Sequence, residues 1–141
     1  MTLRVDLQPR DTYLAVFLTG SFEPGDVQTH LIKQVLDACA ELRLSRILLD
    51  LRPVQGELST MDRWNHFEFL AHQIRDYSAS GRLRGLRLAY LGTPSQVDSQ
   101  GFGETVAVNR GIDLRATTEL EEALSFLGVD RAHKTGGGGS K

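Results

Sequence analysis

The sequence predicts a single α/β domain with a mostly parallel mixed sheet that carries one antiparallel strand, in the order β-β-α-β-α-β-α-β-α. Three observations predict it. Short apolar runs alternate with segments of helical period from residue 20 onward, the pattern of crossover units on a parallel sheet. The first two apolar runs are separated only by the turn residues Pro9-Arg10-Asp11-Thr12, so they form an antiparallel hairpin. Every later pair of runs is separated by a helix-length segment, which calls for right-handed crossovers.

Taken in order, residues 3–8 alternate Leu3, Val5 and Leu7 with Arg4, Asp6 and Gln8, the period of a half-buried strand. Residues 13–18 are almost continuously apolar, as a strand covered on both faces requires. After Gly20 to Gly25, Val27, Leu31, Val35, Ala38, Cys39 and Leu42 share one helical face, opposite His30, Lys33, Asp37 and Glu41. Residues 46–51 read as a central strand ending before Pro53. Ser59-Thr60-Met61-Asp62 has the form of a capping box opening a long helix, with Trp64, Phe67, Leu70, Ala71, Ile74 and Tyr77 inward and Gly81 as terminator. Residues 86–91 make the next strand, a shorter helix is expected over 99–109, and 114–117 form the last strand. Thr118-Glu119-Leu120-Glu121 reads as a second capping box, opening a helix with Leu120, Ala123, Leu124 and Leu127 at core spacing and Gly128 after its end.

The chain has 141 residues, room for one domain, expected over 1–130; the Gly-rich stretch within 131–141 has the composition of a flexible linker. Hydrophobic content of 40% and charged content of 24% are those of an ordinary globular chain. With 16 basic and 18 acidic residues the net charge is -2, which speaks against nucleic acid as a partner. Cys39 is the single cysteine, so no intrachain disulfide can form, and the first residues lack an apolar signal-peptide core. No apolar run approaches a membrane span. The expected compartment is the cytoplasm.

The element order resembles the STAS fold of sulfate transporters and anti-sigma factor antagonists. More closely, Ile47-Leu48-Leu49-Asp50-Leu51-Arg52, Val108-Asn109-Arg110-Gly111-Ile112 and residues 118–128 resemble the bacterial SpoIIAA-like proteins related to STAS and CRAL-TRIO lipid-transfer domains. The matched residues are core and turn positions, informative about fold more than activity. STAS antagonists carry an Asp-Ser-Ser-Gly motif after this strand, with a phosphorylated serine at the helix start. Here the chain reads Asp50-Leu51-Arg52-Pro53-Val54-Gln55-Gly56-Glu57-Leu58-Ser59-Thr60, so that motif is absent and the loop is longer. Ser59 and Thr60 stand at a comparable helix start and are the candidate phosphosites, while Ser59 also reads as a plain cap.

Catalytic chemistry finds little footing. There is no Gly-x-Ser-x-Gly elbow, Cys39 sits on the apolar stripe of its helix, and no His-x-x-x-His or Cys-x-x-Cys spacing offers a metal cage. His66 follows Asp62 by four residues and His72 follows Glu68 by four, spacings that read as solvated helix contacts. Gly101-Phe102-Gly103-Glu104-Thr105-Val106 begins like a dinucleotide fingerprint but has Val in the sixth position, and reads as a loop shaped by glycine. No enzyme activity and no cofactor are expected.

Ligands of open parallel sheets sit beyond the carboxyl ends of the strands, where this sequence offers Ser21, Phe22, Arg52 and Thr93, with Ser59 close by. Arg52 there is a candidate for an anionic ligand or for pairing with Glu57. On the outer face of the second helix Met61, Asn65, Phe69 and His72 fall together, a candidate partner or dimer surface. The expected function is a non-catalytic STAS-like regulatory or protein-interaction module, bound to a protein partner or a second copy. The alternative is a carrier of a small apolar or lipid-like ligand, held between the second long helix and the sheet.

Overall fold

The structure, a computed structural model, describes residues 3–21, 26–56, 60–97 and 111–129, apart from the side chains of 26–29, 60 and 63. Its elements are β1 (Arg4–Pro9), β2 (Leu14–Thr19), α1 (Asp26–Leu42), β3 (Arg46–Asp50), α2 (Thr60–Ala79), β4 (Arg87–Leu91), β5 (Asp113–Thr117) and α3 (Leu120–Leu127). The five strands lie in sequence order across one sheet, β1 antiparallel to β2 and the rest parallel. This is the mixed sheet expected from the hairpin and the alternating pattern.

The period of two along each strand sorts side chains onto two faces. Register Ile47 to Leu88 and Leu49 to Tyr90 aligns these residues with Leu14, Val16 and Leu18 on the face covered by α1 and α2. Tyr13, Ala15, Leu48, Ala89 and Leu91 face the other way, where Ala123, Leu124 and Leu127 of α3 cover them. Successive crossovers that step the same way across the sheet and keep the usual hand put α1 and α2 on one side, as their shared core shows. The last helix follows the last strand and crosses over nothing, so it can fold back on the opposite face. Ala15, Ala89 and Ala123, all fully buried, let its backbone come close.

Helix ends depart from the sequence reading in instructive ways. The second capping box does not form: the N-cap of α3 is Glu119, without a side-chain cap bond. Thr117, buried at the end of β5, does that work instead. Its hydroxyl accepts from the Glu119 amide at 3.1 Å and donates to Glu122 at 2.6 Å. At the other end Gly128 adopts φ 75° and closes the helix as expected, and Arg46 and Arg87 donate to the carbonyls of Leu127 and Phe126 at 2.9 and 3.0 Å. Cationic groups at a helix C-terminus also oppose its dipole.

In α1 the buried stripe runs through Ile32, Val35, Leu36 and Cys39, spaced i, i+3, i+4, i+7, while Leu42 is 45% exposed. The face is thus rotated from the one the sequence suggested. On α2, Phe67, Leu70, Ala71 and Tyr77 are buried, with Trp64 and Ile74 half-buried at the margin. The Tyr77 hydroxyl donates to Asp37 of α1, and Arg82 bonds the same carboxylate at 3.0 Å while stacking 4.4 Å above the Tyr77 ring. The helix expected over 99–109 lies outside the described residues; residues 94–97 have helical backbone.

Candidate functional site

The carboxyl ends of the parallel strands meet in a set of interlocked loops. Asp50, the last residue of β3 and only 6% exposed, accepts three bonds from Arg52: from its amide at 3.0 Å, Nε at 3.0 Å and Nη2 at 2.8 Å. The two-residue spacing makes this possible, because the chain turns back at Leu51 and lays the guanidinium fork flat on the carboxylate. The hydrogen bond to Asp50, and then its charge, push the Arg52 pKa up from its ordinary value. Beyond the turn, the Val54 amide bonds Leu51 O at 2.9 Å and the Gln55 amide bonds Gly20 O at 2.8 Å. Ser21 forms an isolated parallel bridge with Gln55. The loop after β3 is therefore stitched to the end of β2.

A second clamp comes from residues 93–97. The Gln96 amide donates to Thr93 Oγ1 at 3.3 Å while the Thr93 amide donates to Gln96 Oε1 at 2.8 Å, a reciprocal capping box with Pro94 at the first helical position. The free end of the same amide, Gln96 Nε2, donates to Leu51 O at 2.9 Å and Val54 O at 3.2 Å. One side chain thus starts a helix and holds the β3 loop. Its fold over Gly92 leaves no room for a larger residue, since a Cβ there would lie 2.9 Å from Gln96 Oε1 and 3.1 Å from its Cβ. Gln96→Ala is expected to lose about 1–3 kcal/mol, the usual range for a stranded polar group, because the Thr93 amide and Val54 O lose this partner while Leu51 O keeps the Val54 amide. Gly92→Ala should release the same clamp. Urea denaturation of both single variants and the double variant checks this: the two losses should overlap, and full additivity would separate Gly92 from the clamp.

Of the expected ligand residues, Ser21, Arg52 and Thr93 do come to this end of the sheet, whereas Phe22 and Ser59 lie outside the described residues. None of the three is idle: Ser21 is bridged, Arg52 is committed to Asp50 and Thr93 is a cap. Arg52, the candidate for an anionic ligand or for Glu57, pairs with the aspartate of its own strand, and Glu57 lies outside the described residues. The candidate phosphosite Thr60 is the first residue of α2. Gln96 and Asp50 were missed as site residues, although Thr93-Pro94-x-Gln96 carries a readable capping-box signature.

The outer face of α2 is partly as expected. Met61 is 65% exposed, and Asn65 and His72 are exposed. Phe69 is not on that surface: it is half-buried and packs against the main core. At the border of the buried stripe the length of a side chain decides where it ends, and the aromatic ring reaches inward from a position that a shorter group would leave in water. His66 also departs from its expected solvated role. Its Nε2 lies 3.2 Å from the Tyr90 hydroxyl, its ring meets Phe67 edge-on at 4.8 Å, and its Nδ1 is buried without a partner. Burial pushes the His66 pKa down to about 4 and the Tyr90 pKa up.

Cys39 is fully buried, and burial raises its pKa to about 12, so the thiol stays protonated at neutral pH. Among the described residues no group of three or more His, Cys, Asp or Glu could hold a metal ion, and no helix is long and apolar enough to cross a membrane. Two cavities among the described residues, of about 610 and 460 Å³, open at the opposite, amino-terminal end of the strands.

No protein-family model matches the chain, and no curated protein matches it. Among solved structures it is similar to an anti-sigma factor antagonist from Mycobacterium paratuberculosis, 17% identical with a TM-score of 0.53 over 89% of this chain and 94% of that one. It is also similar to the anti-sigma factor antagonist SpoIIAA in its unphosphorylated form, 12% identical with a TM-score of 0.49 over 88% of this chain and 96% of that one. The first likeness fixes the arrangement of sheet and helices as STAS-like.

Proposed function

We propose that this chain, with the STAS-like fold of an anti-sigma factor antagonist, is a non-catalytic regulatory module that binds a protein partner through the start of α2 and the loop before it. The observation that carries this reading is Met61, 65% exposed in the first turn of α2. It stands after a loop whose earlier residues are fixed by Asp50 to Arg52 and by Gln96. An exposed flexible thioether on a helix that packs on the core suits protein contact, because the helix backbone that carries it is already ordered before binding. The paired Arg52 and the protonated Cys39 thiol fit a role without chemistry of their own. The similarity in fold to a solved anti-sigma factor antagonist supports the same reading.

Met61→Glu is expected to leave the melting temperature within a degree or two, as an exposed position should. It should weaken association at least tenfold. Sedimentation velocity across a wide concentration range reads a second copy of the chain as partner. A photo-crosslinking residue at position 61 or 65, with one at Arg4 as control, reads a different protein in the native host. Absence of both self-association and position-specific crosslinks would overturn the proposal.

A further inference from the structure

At the opposite end of the sheet, the C-terminal ends of α1 and α2 flank a groove of about 610 Å³ that opens beside the starts of β3 and β4. This volume is within the usual range for small-molecule sites. Leu44 and Leu83 form part of its lining, and Arg43, Arg82 and Arg84 outnumber the carboxylates of Glu41, in the lining, and of Asp37, which pairs with Arg82. In a chain of net charge -2, this local excess of positive charge runs against the whole.

The arginines differ in how far they are already engaged. Arg82 is held by Asp37 at 3.0 Å and by stacking on Tyr77, so its guanidinium is fixed in place. Arg43 and Arg84 have no side-chain hydrogen bond or ion pair among the described residues. Nor are they needed to cap the neighbouring helices with their side chains. The amides of Arg43 and Leu44 bond the carbonyls of Ala40 and Cys39, and the amides of residues 80–83 bond those of Asp76, Tyr77 and Ser78.

The backbone adds an independent sign. Arg43 has φ 59°, the one left-handed non-glycine among the described residues, at the position after α1 where glycine is the unstrained choice. An L residue held there has a conformational cost that no hydrogen bond or ion pair of its own side chain among the described residues offsets. Strain of this kind is concentrated at binding sites.

We propose that this groove binds a small, multiply charged oxyanion, with Arg43 and Arg84 as its primary ligands and Arg82 as a pre-oriented third donor. Guanidinium forks match phosphate and carboxylate oxygens in pairs, and a groove of this volume exceeds what one inorganic ion fills. The site is separate from the α2 surface assigned to a protein partner, so the two stand or fall independently.

The test titrates the full chain with tripolyphosphate and, in parallel, with citrate, following backbone amide shifts by NMR at low ionic strength. Saturable shifts confined to residues 43–45 and 81–84 are expected, and the tighter of the two probes names phosphoryl or carboxyl chemistry. Arg84→Gln and Arg43→Gly should each weaken binding about tenfold, while Arg4→Gln on β1 should not. Arg43→Gly should also raise the melting temperature by relieving the backbone, which separates lost binding from lost folding. Failure of both probes to saturate, or unchanged affinity in the two groove variants, would overturn the proposal.

Discussion

Replacing Phe67 with alanine is expected to destabilise the chain by about 3–5 kcal/mol, the range for deleting a buried aromatic from a packed core. Phe67 is 1% exposed beneath α2, where its ring meets His66 edge-on at 4.8 Å and Tyr90 at 5.8 Å. Removal therefore loses the transfer energy of the ring, its aromatic contacts and the support for a buried histidine whose Nδ1 already lacks a partner. Trp64, half-buried three residues earlier, should lose clearly less on the same substitution, although the helical wheel places both on one face. Urea denaturation with an unchanged dependence on denaturant reads both losses. A Phe67→Ala loss below about 1 kcal/mol would show that α2 sits on the sheet in another rotation.

What the sequence revealed, and where it misled, follows from how each feature is encoded. The strands were legible because every second residue of β2, β3 and β4 must satisfy one of two apolar faces, and that constraint is local. Gly81 and Gly128 were legible for the same reason, each standing past a helix end at positive φ. The phase of α1 was not, because Leu31, Ala38 and Leu42 on one side of Val35 and Cys39, and Ile32 and Leu36 on the other, form overlapping apolar stripes. Only packing against the sheet selects the second set. Phe69 and His66 failed likewise: a wheel assigns an angle, while a ring's reach and the space beneath the helix decide its burial.

The meeting of the strand ends was legible, and the bonds between them were not. The rule that function gathers at the carboxyl ends of parallel strands brought Ser21, Arg52 and Thr93 together correctly in space. The bonds that occupy them join residues as far apart as Gln96 and Leu51, or Gly20 and Gln55, and no local pattern announces such a pair. Thr117 makes the same point at α3. Its hydroxyl displaces the Thr118 cap because it lies at the buried end of a strand, a fact of tertiary position.

Acid should weaken the native state through His66 in a window that the structure defines. Burial holds the ring neutral and moves its pKa from 6.5 down to about 4. As the pH falls below 6.5, the unfolded chain takes up a proton that the native chain refuses until about pH 4. Native stability is therefore complete above pH 6.5, falls as the pH drops and levels off below pH 4. At roughly 1.4 kcal/mol per pH unit the His66 contribution amounts to about 3 kcal/mol. Glu122 also titrates in acid, its pKa lowered first by the Thr117 hydroxyl and then by Arg115, so raw acid unfolding mixes the two. His66→Phe isolates the histidine, since it keeps an aromatic ring against Phe67 and removes the titrating group. Its absolute stability will shift because the Tyr90 hydroxyl loses its neighbour, yet that shift is the same at every pH in the window. The difference between wild-type and variant unfolding free energies, measured by urea titration from pH 7 to pH 4, is therefore expected to slope by about 3 kcal/mol. A difference that stays flat over that interval would mean that the native chain protonates His66 as readily as the unfolded one, and that α2 opens to admit the charge.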